Sequence, residues 1–369
     1  MKPIVGIGAR APSRFAPRAA TALVAAGTLA LVVGLAIGRA PEALSALDFS
    51  WLFFAGLSAG SIAFAVVVRM VEGRWAEPLL PVADAPARFF TPAFLVLVVL
   101  VVGARAFGPL GRPGAGAVEA LALRQLLPTA VLFALGRRVI RLSREAPGNS
   151  RTALVGSVAY LLAYVIALSL WAFDWIMSLS RSPPATVIPA YFFVGAFLSG
   201  LAWVVLSSTM RHGSTPGTRH DMGKLLFGFV VVWMYLLWSL FLATWYGNVP
   251  AEVEPLLRRW EGAYRPVTAA VVLAVFVCPF WLLLPEKLKR RRFTLGLAAA
   301  GVLLGLWAER LLLVLPSLDL AGGPVSVAIA SCVAMGVAGL FFRSVLPSLA
   351  VPDETMVGAY GEGGRQEHT

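Results

Sequence analysis

An aspartate stands inside an apolar stretch that is long enough to cross a lipid bilayer. Asp174 belongs to residues 157–178, SVAYLLAYVIALSLWAFDWIMS. Successive helical residues turn by about 100°, which places the polar and aromatic side chains of this stretch within one arc of about 100°. These side chains are Ser157, Tyr160, Tyr164, Trp171, Asp174 and Ser178. A lipid-facing aspartate costs about 3 kcal/mol, so the pattern predicts a membrane helix whose polar stripe faces protein or trapped water.

Two roles are open to Asp174 at this point. A desolvated carboxylate can exchange protons near neutral pH, and it can also face a quinone head group. Alternatively, Asp174 reaches the membrane interface and caps a neighbouring polar group. Tyr160 and Tyr164 on the same stripe favour the first role, because hydroxyl groups can relay protons.

A second pair of ionisable residues, Glu309 and Arg310, lies in the apolar stretch 293–315. Adjacent residues on a helix point about 100° apart, so they are not expected to pair well with each other. We therefore expect each to find a partner on another helix, and we expect Arg310 or a nearby polar group to lie close to Asp174. A plain interhelical ion pair is the structural alternative.

Residues 220–248 repeat the striped pattern. The residues on one arc of this helix are His220, Asp221, Lys224, Gly228, Tyr235, Trp238, Ser239 and Tyr246. If the stripe faces the interior, His220, Asp221 and Lys224 form the cytoplasmic mouth of a proton half-channel that the aromatic residues continue outward. Alternatively, the three mouth residues are an ordinary interfacial helix N-terminus, where an aspartate is favoured by the helix dipole.

The composition excludes a soluble globular domain. Hydrophobic residues make up 59% of the 369 residues, charged residues make up 14%, and the mean hydropathy is +0.80, whereas about a quarter of the residues of soluble domains are charged. The two cysteines lie in apolar stretches without metal-site spacing, and no histidine lies inside a predicted span. We therefore expect no haem, metal or other redox centre in this chain.

Ten apolar stretches predict an all-α integral membrane protein with ten transmembrane helices. The predicted spans are 20–38, 49–70, 90–107, 120–139, 153–178, 187–209, 222–246, 266–284, 293–315 and 324–346. Apart from Arg310 in the ninth span, 22 of the 31 lysines and arginines are assigned to one side of the membrane and eight to the other, which predicts that both termini are cytoplasmic. The net charge of +12 follows this distribution and does not indicate nucleic-acid binding. Two small-residue pairs, Gly56 with Gly60 and Gly195 with Ser199, predict close approach of neighbouring backbones.

Three segments carry more information than membrane composition alone. They are WAFDWIMSL at 171–179, YFFVGAFLSGLA at 191–202 and HDMGKLLFGFVVVWMYLLWSLFLATWYGNVPAE at 220–252. Together they resemble the ActF-type membrane subunit of bacterial alternative complex III, a quinol:electron-acceptor oxidoreductase whose membrane subunits are similar to the NrfD and polysulfide-reductase anchors. The resemblance is strongest over residues 150–315.

The resemblance implies a division of the chain around two four-helix bundles. The parts are a cytoplasmic N-terminal segment at 1–19, a flanking helix at 20–48, bundles at 49–180 and 181–316, a second flanking helix at 317–346 and a cytoplasmic tail at 347–369. The Gly- and charge-rich composition of the tail predicts disorder.

The resemblance also implies partners and a location. The partners would be a sister ten-helix subunit, an iron–sulfur subunit and multihaem cytochrome c subunits, in a bacterial cytoplasmic membrane, with lipids around them. Quinone or quinol is a possible ligand of this chain, while haem c and the iron–sulfur clusters would belong to the partners.

Residue by residue, the resemblance points to Asp174, His220 and Asp221. The chain departs from the family's Asp-Pro-His-Trp-like run at residues 180–184, which read SRSPP, so no acid or histidine role carries over there. The absence of a histidine within the spans also argues against the main quinol-oxidising subunit. Three alternatives stay open: a second quinone-binding subunit, a structural scaffold of the same complex, and a secondary transporter. Paired Gly/Pro-broken helices, which would favour a transporter, are not evident.

Overall fold

The computed structural model describes residues 15–107, 115–145, 151–179, 186–211, 214–318 and 323–349. The helices in these ranges are α1 Phe15–Ala36, α2 Ala40–Met70, α3 Leu80–Asp84, α4 Phe90–Phe107, α5 Ala115–Glu145, α6 Arg151–Trp175, α7 Ile188–Met210, α8 Pro216–Gly247, α9 Pro250–Trp260, α10 Tyr264–Val272, α11 Cys278–Leu283, α12 Glu286–Lys289, α13 Arg292–Val314 and α14 Pro324–Leu349. Ten helical stretches are long and apolar enough to span a membrane. The predicted ten-helix, all-α membrane fold is confirmed, and the chain is a multi-pass membrane protein.

Pro128 and Pro279 each lie within a span that still runs without a break. α5 passes through Pro128 and extends well beyond the predicted 120–139. The eighth span consists of α10, a π-helical turn at Leu273–Val277 and α11, with Pro279 at the start of α11. In lipid the backbone has no other partner than itself, so the chain stays helical and adjusts locally around the missing N–H.

Helices also form outside the spans. The connection after α2 folds into the short 3₁₀ helix Arg74–Leu79, α3 and the 3₁₀ helix Ala85–Phe89, much of which is buried. α9, which was not predicted, lies between the seventh and eighth spans and is strongly amphipathic. The tail beyond Leu349 and the segment 180–184 lie outside the described residues.

α2 is the central helix of the fold. In its most apolar window 94% of the residues are buried, whereas the corresponding value for α8 is 22%. α2, α4, α5 and α6 pack around one another, and so do α7, α8, the α10–α11 span and α13. α2 and α6 join the two groups through α7, and α2 also packs against α13. α1 packs along α14, which in turn covers α2.

Glycines let α2 and α7 cross in backbone contact. A Cβ at Gly60 would lie 2.1 Å from the carbonyl oxygen of Ala196, and a Cβ at Gly200 would lie 2.2 Å from the amide nitrogen of Ser61. The prediction of close approach is therefore confirmed for Gly60. It is wrong for Gly195, where a Cβ would lie 2.7 Å from a guanidinium nitrogen of Arg310; this glycine makes room for a charged side chain.

Candidate functional site

The polar stripe of α6 faces the interior of the chain, as predicted. Tyr160 and Tyr164 are buried. The Tyr160 hydroxyl donates to the carbonyl oxygen of Ala59 on α2 at 2.8 Å, and the Tyr164 hydroxyl donates to that of Phe193 on α7 at 2.6 Å. Both hydroxyls thus tie α6 to its neighbours, because a buried hydroxyl needs a partner.

Asp174 is held by two side chains of α5. Arg124 Nε donates to Asp174 Oδ2 at 2.7 Å, and an Arg124 Nη2 group donates to Oδ1. Gln125 Nε2 donates to Oδ2 as well, and Gln125 Oε1 accepts from Trp175 Nε1 at 2.9 Å. A bidentate contact between an arginine and a carboxylate is a strong charge-assisted hydrogen bond with a defined geometry, so the position of the Asp174 side chain is fixed by α5.

The arginine that pairs with Asp174 is thus Arg124, whereas the expectation named Arg310 or a polar group near it. Arg124 and Gln125 lie inside the predicted span 120–139 and were not among the predicted site residues. The signal available in the sequence is two adjacent polar residues inside an apolar stretch, on a helix next to the one that carries the aspartate.

Glu309 and Arg310 form a buried ion pair with each other. Arg310 Nη1 lies 3.3 Å from Glu309 Oε2, and both side chains are almost fully buried. The expectation that adjacent residues would not pair is wrong, because the long arginine side chain can fold back beside its neighbour. The contact nevertheless lacks hydrogen-bond geometry: neither Glu309 oxygen nor Arg310 Nη1 has a hydrogen-bond partner among the described residues.

Arg310 is fixed mainly by α7. Its Nη2 group donates to the carbonyl oxygen of Phe192 at 3.4 Å, and its guanidinium carbon lies 4.2 Å from the centre of the Phe192 ring. A cation over an aromatic face is attracted by the ring quadrupole. Gly195, one turn along α7, leaves the space that this arrangement requires.

Two further residues complete this cluster and were not predicted. The Tyr191 hydroxyl of α7 lies beside Glu309, and Arg259 of α9 lies close enough to interact with both. Burial lowers the pKa of the Arg259 guanidinium, while Tyr191 and Glu309 oppose this effect. Arg259 remains cationic at neutral pH, so a helix outside the spans supplies a second positive charge to the Glu309 carboxylate.

Contacts between aromatic rings show that three buried carboxylates lie at a similar depth in the bundle. Trp51 of α2 contacts Trp171 of α6 with ring centroids 4.6 Å apart, and Phe49 of α2 contacts Trp307 of α13 at 5.7 Å. With a rise of about 1.5 Å per residue, the carboxylates near these rings lie within about one helical turn in depth. They are Asp48, Asp174 and Glu309, which we call the outer polar layer. It lies at the end where α2 begins and where α6 and α13 end, the outer end in the predicted orientation.

The stripe of α8 does not face the interior. Tyr235, Trp238 and Tyr246 are 67%, 52% and 85% exposed on the chain. The buried face of α8 consists of Met222, Gly223, Leu226, Val230 and Trp233. The predicted half-channel along this stripe is therefore wrong for the isolated chain, because tryptophan, tyrosine and serine can face lipid or another protein at little cost.

The predicted mouth residues lie at the opposite end of the bundle from the outer polar layer. His220 and Asp221 are partly buried and Lys224 is exposed. Lys224 Nζ lies 3.3 Å from Asp221 Oδ1. A hydrogen bond from Arg290 lowers the pKa of nearby Glu286, and the charges of His220 and Lys224 act in the same direction. This arrangement fits an ordinary charged helix end as well as it fits a mouth.

Two more buried ion pairs were not predicted. Glu42 on α2 accepts from Arg39 at 3.1 Å and from Ser326 on α14 at 3.2 Å. At the other end of α2, Arg69 donates to Asp84 at 2.6 Å. These pairs fasten α2 to α14 and to the short helices that follow it.

Comparisons with known proteins leave the family open. A scan against protein-family models gives no match for this chain. A search of curated proteins gives none either. The resemblance to a membrane subunit of alternative complex III therefore rests on the segments 171–179, 191–202 and 220–252.

Proposed function

We propose that the chain is an integral membrane subunit of a quinol:electron-acceptor oxidoreductase of the alternative complex III type. It would act in a respiratory or photosynthetic electron-transport chain of a bacterial cytoplasmic membrane. In this proposal the chain has no redox centre of its own. Its partners are a sister ten-helix subunit, an iron–sulfur subunit and multihaem cytochrome c subunits. The chain offers ionisable groups for proton translocation. In an alternative form of the proposal, it provides a second quinone-binding site.

The observation that carries the proposal is that each helix group holds a buried carboxylate paired with an arginine, and that the two carboxylates lie at similar depth. Asp174 pairs with Arg124 in the first group, and Glu309 pairs with Arg310 in the second. Ionisable residues at membrane depth are costly and are typical of proton or ligand handling. The exposed aromatic face of α8 adds support, because it offers a surface to a sister subunit.

The Glu309 cluster is the better candidate for proton exchange. Its carboxylate oxygens meet no donor at full hydrogen-bond geometry among the described residues, and the Tyr191 hydroxyl lies beside them, whereas Asp174 is fixed by Arg124 and Gln125. A carboxylate without fixed donors can gain and lose a proton with less rearrangement. Asp174 and Arg124 would then act as a fixed charge pair near the path.

A structural scaffold is the second candidate function. It is favoured by the hydrogen bonds from Tyr160 and Tyr164 to backbone carbonyl oxygens, since such contacts join helices without chemistry. Under this alternative the buried ion pairs determine only how the helices pack.

Isolation from native membranes tests membership of the complex. An affinity tag on this chain should recover c-type haem, detected by its absorbance, together with iron–sulfur protein and quinol-oxidising activity. Recovery of a stable lone protein with solute transport activity would instead establish the secondary transporter.

Substitutions in the assembled complex separate proton transfer from a scaffold role. Glu309→Gln should lower the proton-to-electron ratio at least severalfold while the subunits remain associated. Glu254→Gln is the matched control, because Glu254 is exposed on α9 and its ion pair with Arg258 lies across one helical turn. Unchanged proton release in the Glu309 variant would favour the scaffold.

A further inference from the structure

Asp48 is a buried carboxylate on the central helix that the sequence pattern did not indicate. It has no exposed surface on the chain. Neither of its carboxylate oxygens has a hydrogen-bond partner among the described residues. Ser50, two residues further along α2, also has an unpartnered hydroxyl group. Polar atoms left in this way are rare in folded proteins and call for an explanation.

The other buried carboxylates at this end of the bundle each have an arginine. Glu42 pairs with Arg39, Asp174 with Arg124 and Glu309 with Arg310. Among the buried carboxylates that the structure describes here, Asp48 is the one without such a partner. An ionised carboxylate in this position would be desolvated without compensation, which is strongly unfavourable. The neutral acid avoids this penalty.

The position of Asp48 places it at the outer end of the first helix group. It precedes Trp51 by three residues and so shares its face of α2. Trp51 donates to the carbonyl oxygen of Ala93 on α4 at 2.7 Å and contacts Trp171 of α6. Ionisable groups near this depth on the surrounding helices include Arg124, Asp174, Tyr191, Arg259, Glu309 and Arg310, and each of them interacts with another member of this set.

We propose that Asp48 is a proton-binding site of this protein. It holds a proton at neutral pH and exchanges it with water at the outer end of the bundle. The step is a proton transfer from a hydronium ion to the Asp48 carboxylate, which leaves the carboxylic acid and one water molecule and involves no oxidation or reduction. The inference concerns the chain itself and does not require the proposed complex.

Infrared absorption of the full-length chain in lipid nanodiscs tests the protonation state. The spectrum of Asp48→Asn at neutral pH should lack the carbonyl stretch of one protonated carboxylic acid that the wild type shows. Loss of a carboxylate stretch in its place would overturn the proposal. Asp174→Asn is the control, and it should leave the carbonyl stretch assigned to Asp48 in place, because Asp174 lies on a different helix and is bound by Arg124 and Gln125.

Transfer of the wild-type protein to D₂O tests exchange. The Asp48 carbonyl stretch should shift to lower frequency, as a deuterated acid does. An unshifted band would mean an inert buried acid and would overturn the exchange step. If Asp48→Asn does not accumulate, Asp48→Glu keeps the acid group. Its difference from the wild type should be confined to the protonated-acid region, and a change in the carboxylate region would contradict the proposal.

Discussion

Arg124, whose side chain is 50% exposed on α5, donates two hydrogen bonds to Asp174, whose side chain is 4% exposed on α6. The pair therefore joins the surface of the first helix group to its interior. The Arg124 side chain can reach the membrane interface, whereas Asp174 is buried and Arg124 compensates its charge. This asymmetry decides what each substitution should do.

Removal of Arg124 should destabilise the chain more than neutralisation of Asp174. Arg124→Ala removes the bidentate partner of the buried Asp174 carboxylate, and we expect a loss of about 2–3 kcal/mol, below the range for fully buried pairs because Arg124 is half exposed. Thermal unfolding in detergent measures the loss. Asp174→Asn in the Arg124→Ala background should restore part of the stability.

The control for this experiment is Arg141→Ala. Arg141 and Glu145 are both exposed and lie 3.9 Å apart, so the change should stay within about 0.5 kcal/mol. Equal losses for the two arginine variants would mean that the Arg124–Asp174 contact contributes nothing specific.

Loss of Arg310 should be the most damaging single charge change in the second helix group. Arg310→Met leaves Glu309 buried beside Tyr191 and removes the contact with the Phe192 ring. Removing one partner of a buried pair costs about 3–5 kcal/mol. Adding Glu309→Gln should recover a measurable fraction of that loss, and a double variant no more stable than Arg310→Met would show that the ion pair is not the source. Chemical denaturation in mixed micelles can compare the three variants.

The sequence predicted the orientation of a helix well where a charged residue lies inside the apolar stretch, and poorly where the stripe is only aromatic. Asp174 on α6 faces the interior as predicted, because turning an aspartate to lipid is expensive. On α8, Tyr235 and Trp238 form an equally regular stripe, yet they face outward. Their transfer into lipid costs little, so periodicity alone could not tell the interior face of α8 from its outer face.

Asp48 was missed for a different physical reason. The second span was predicted to begin at residue 49, which left Asp48 just outside it. In the structure α2 begins at Ala40. Glu42 accepts hydrogen bonds from Arg39 and from Ser326 of α14, and these tertiary contacts allow the helix to continue into a buried environment. Partners that are distant in sequence could not be read from the local pattern.

The crossing of α2 and α7 should tolerate no side chain at Gly60. A Cβ there would lie 2.1 Å from the Ala196 carbonyl oxygen, so Gly60→Ala must separate the two helices. Overpacking costs about 1–3 kcal/mol or more, and we expect a loss at the upper end because the obstacle is backbone. Gly228→Ala on α8 is the matched control, since it has open space around its Cβ position. Thermal unfolding of both variants should show a large loss for Gly60→Ala and no loss for Gly228→Ala.

The two faces of α8 should respond differently to removal of a tryptophan. Trp233 is completely buried against α7 and Trp238 is 52% exposed. Trp233→Ala creates a cavity and should destabilise the isolated chain by roughly 2–5 kcal/mol, whereas Trp238→Ala should change its stability by less than about 1 kcal/mol. If the exposed face contacts a sister subunit, Trp238→Ala should instead reduce the amount of that subunit recovered with the tagged chain. Equal destabilisation of the isolated chain by both variants would contradict the outward orientation of this face, and unchanged recovery of partners would indicate that Trp238 contacts lipid.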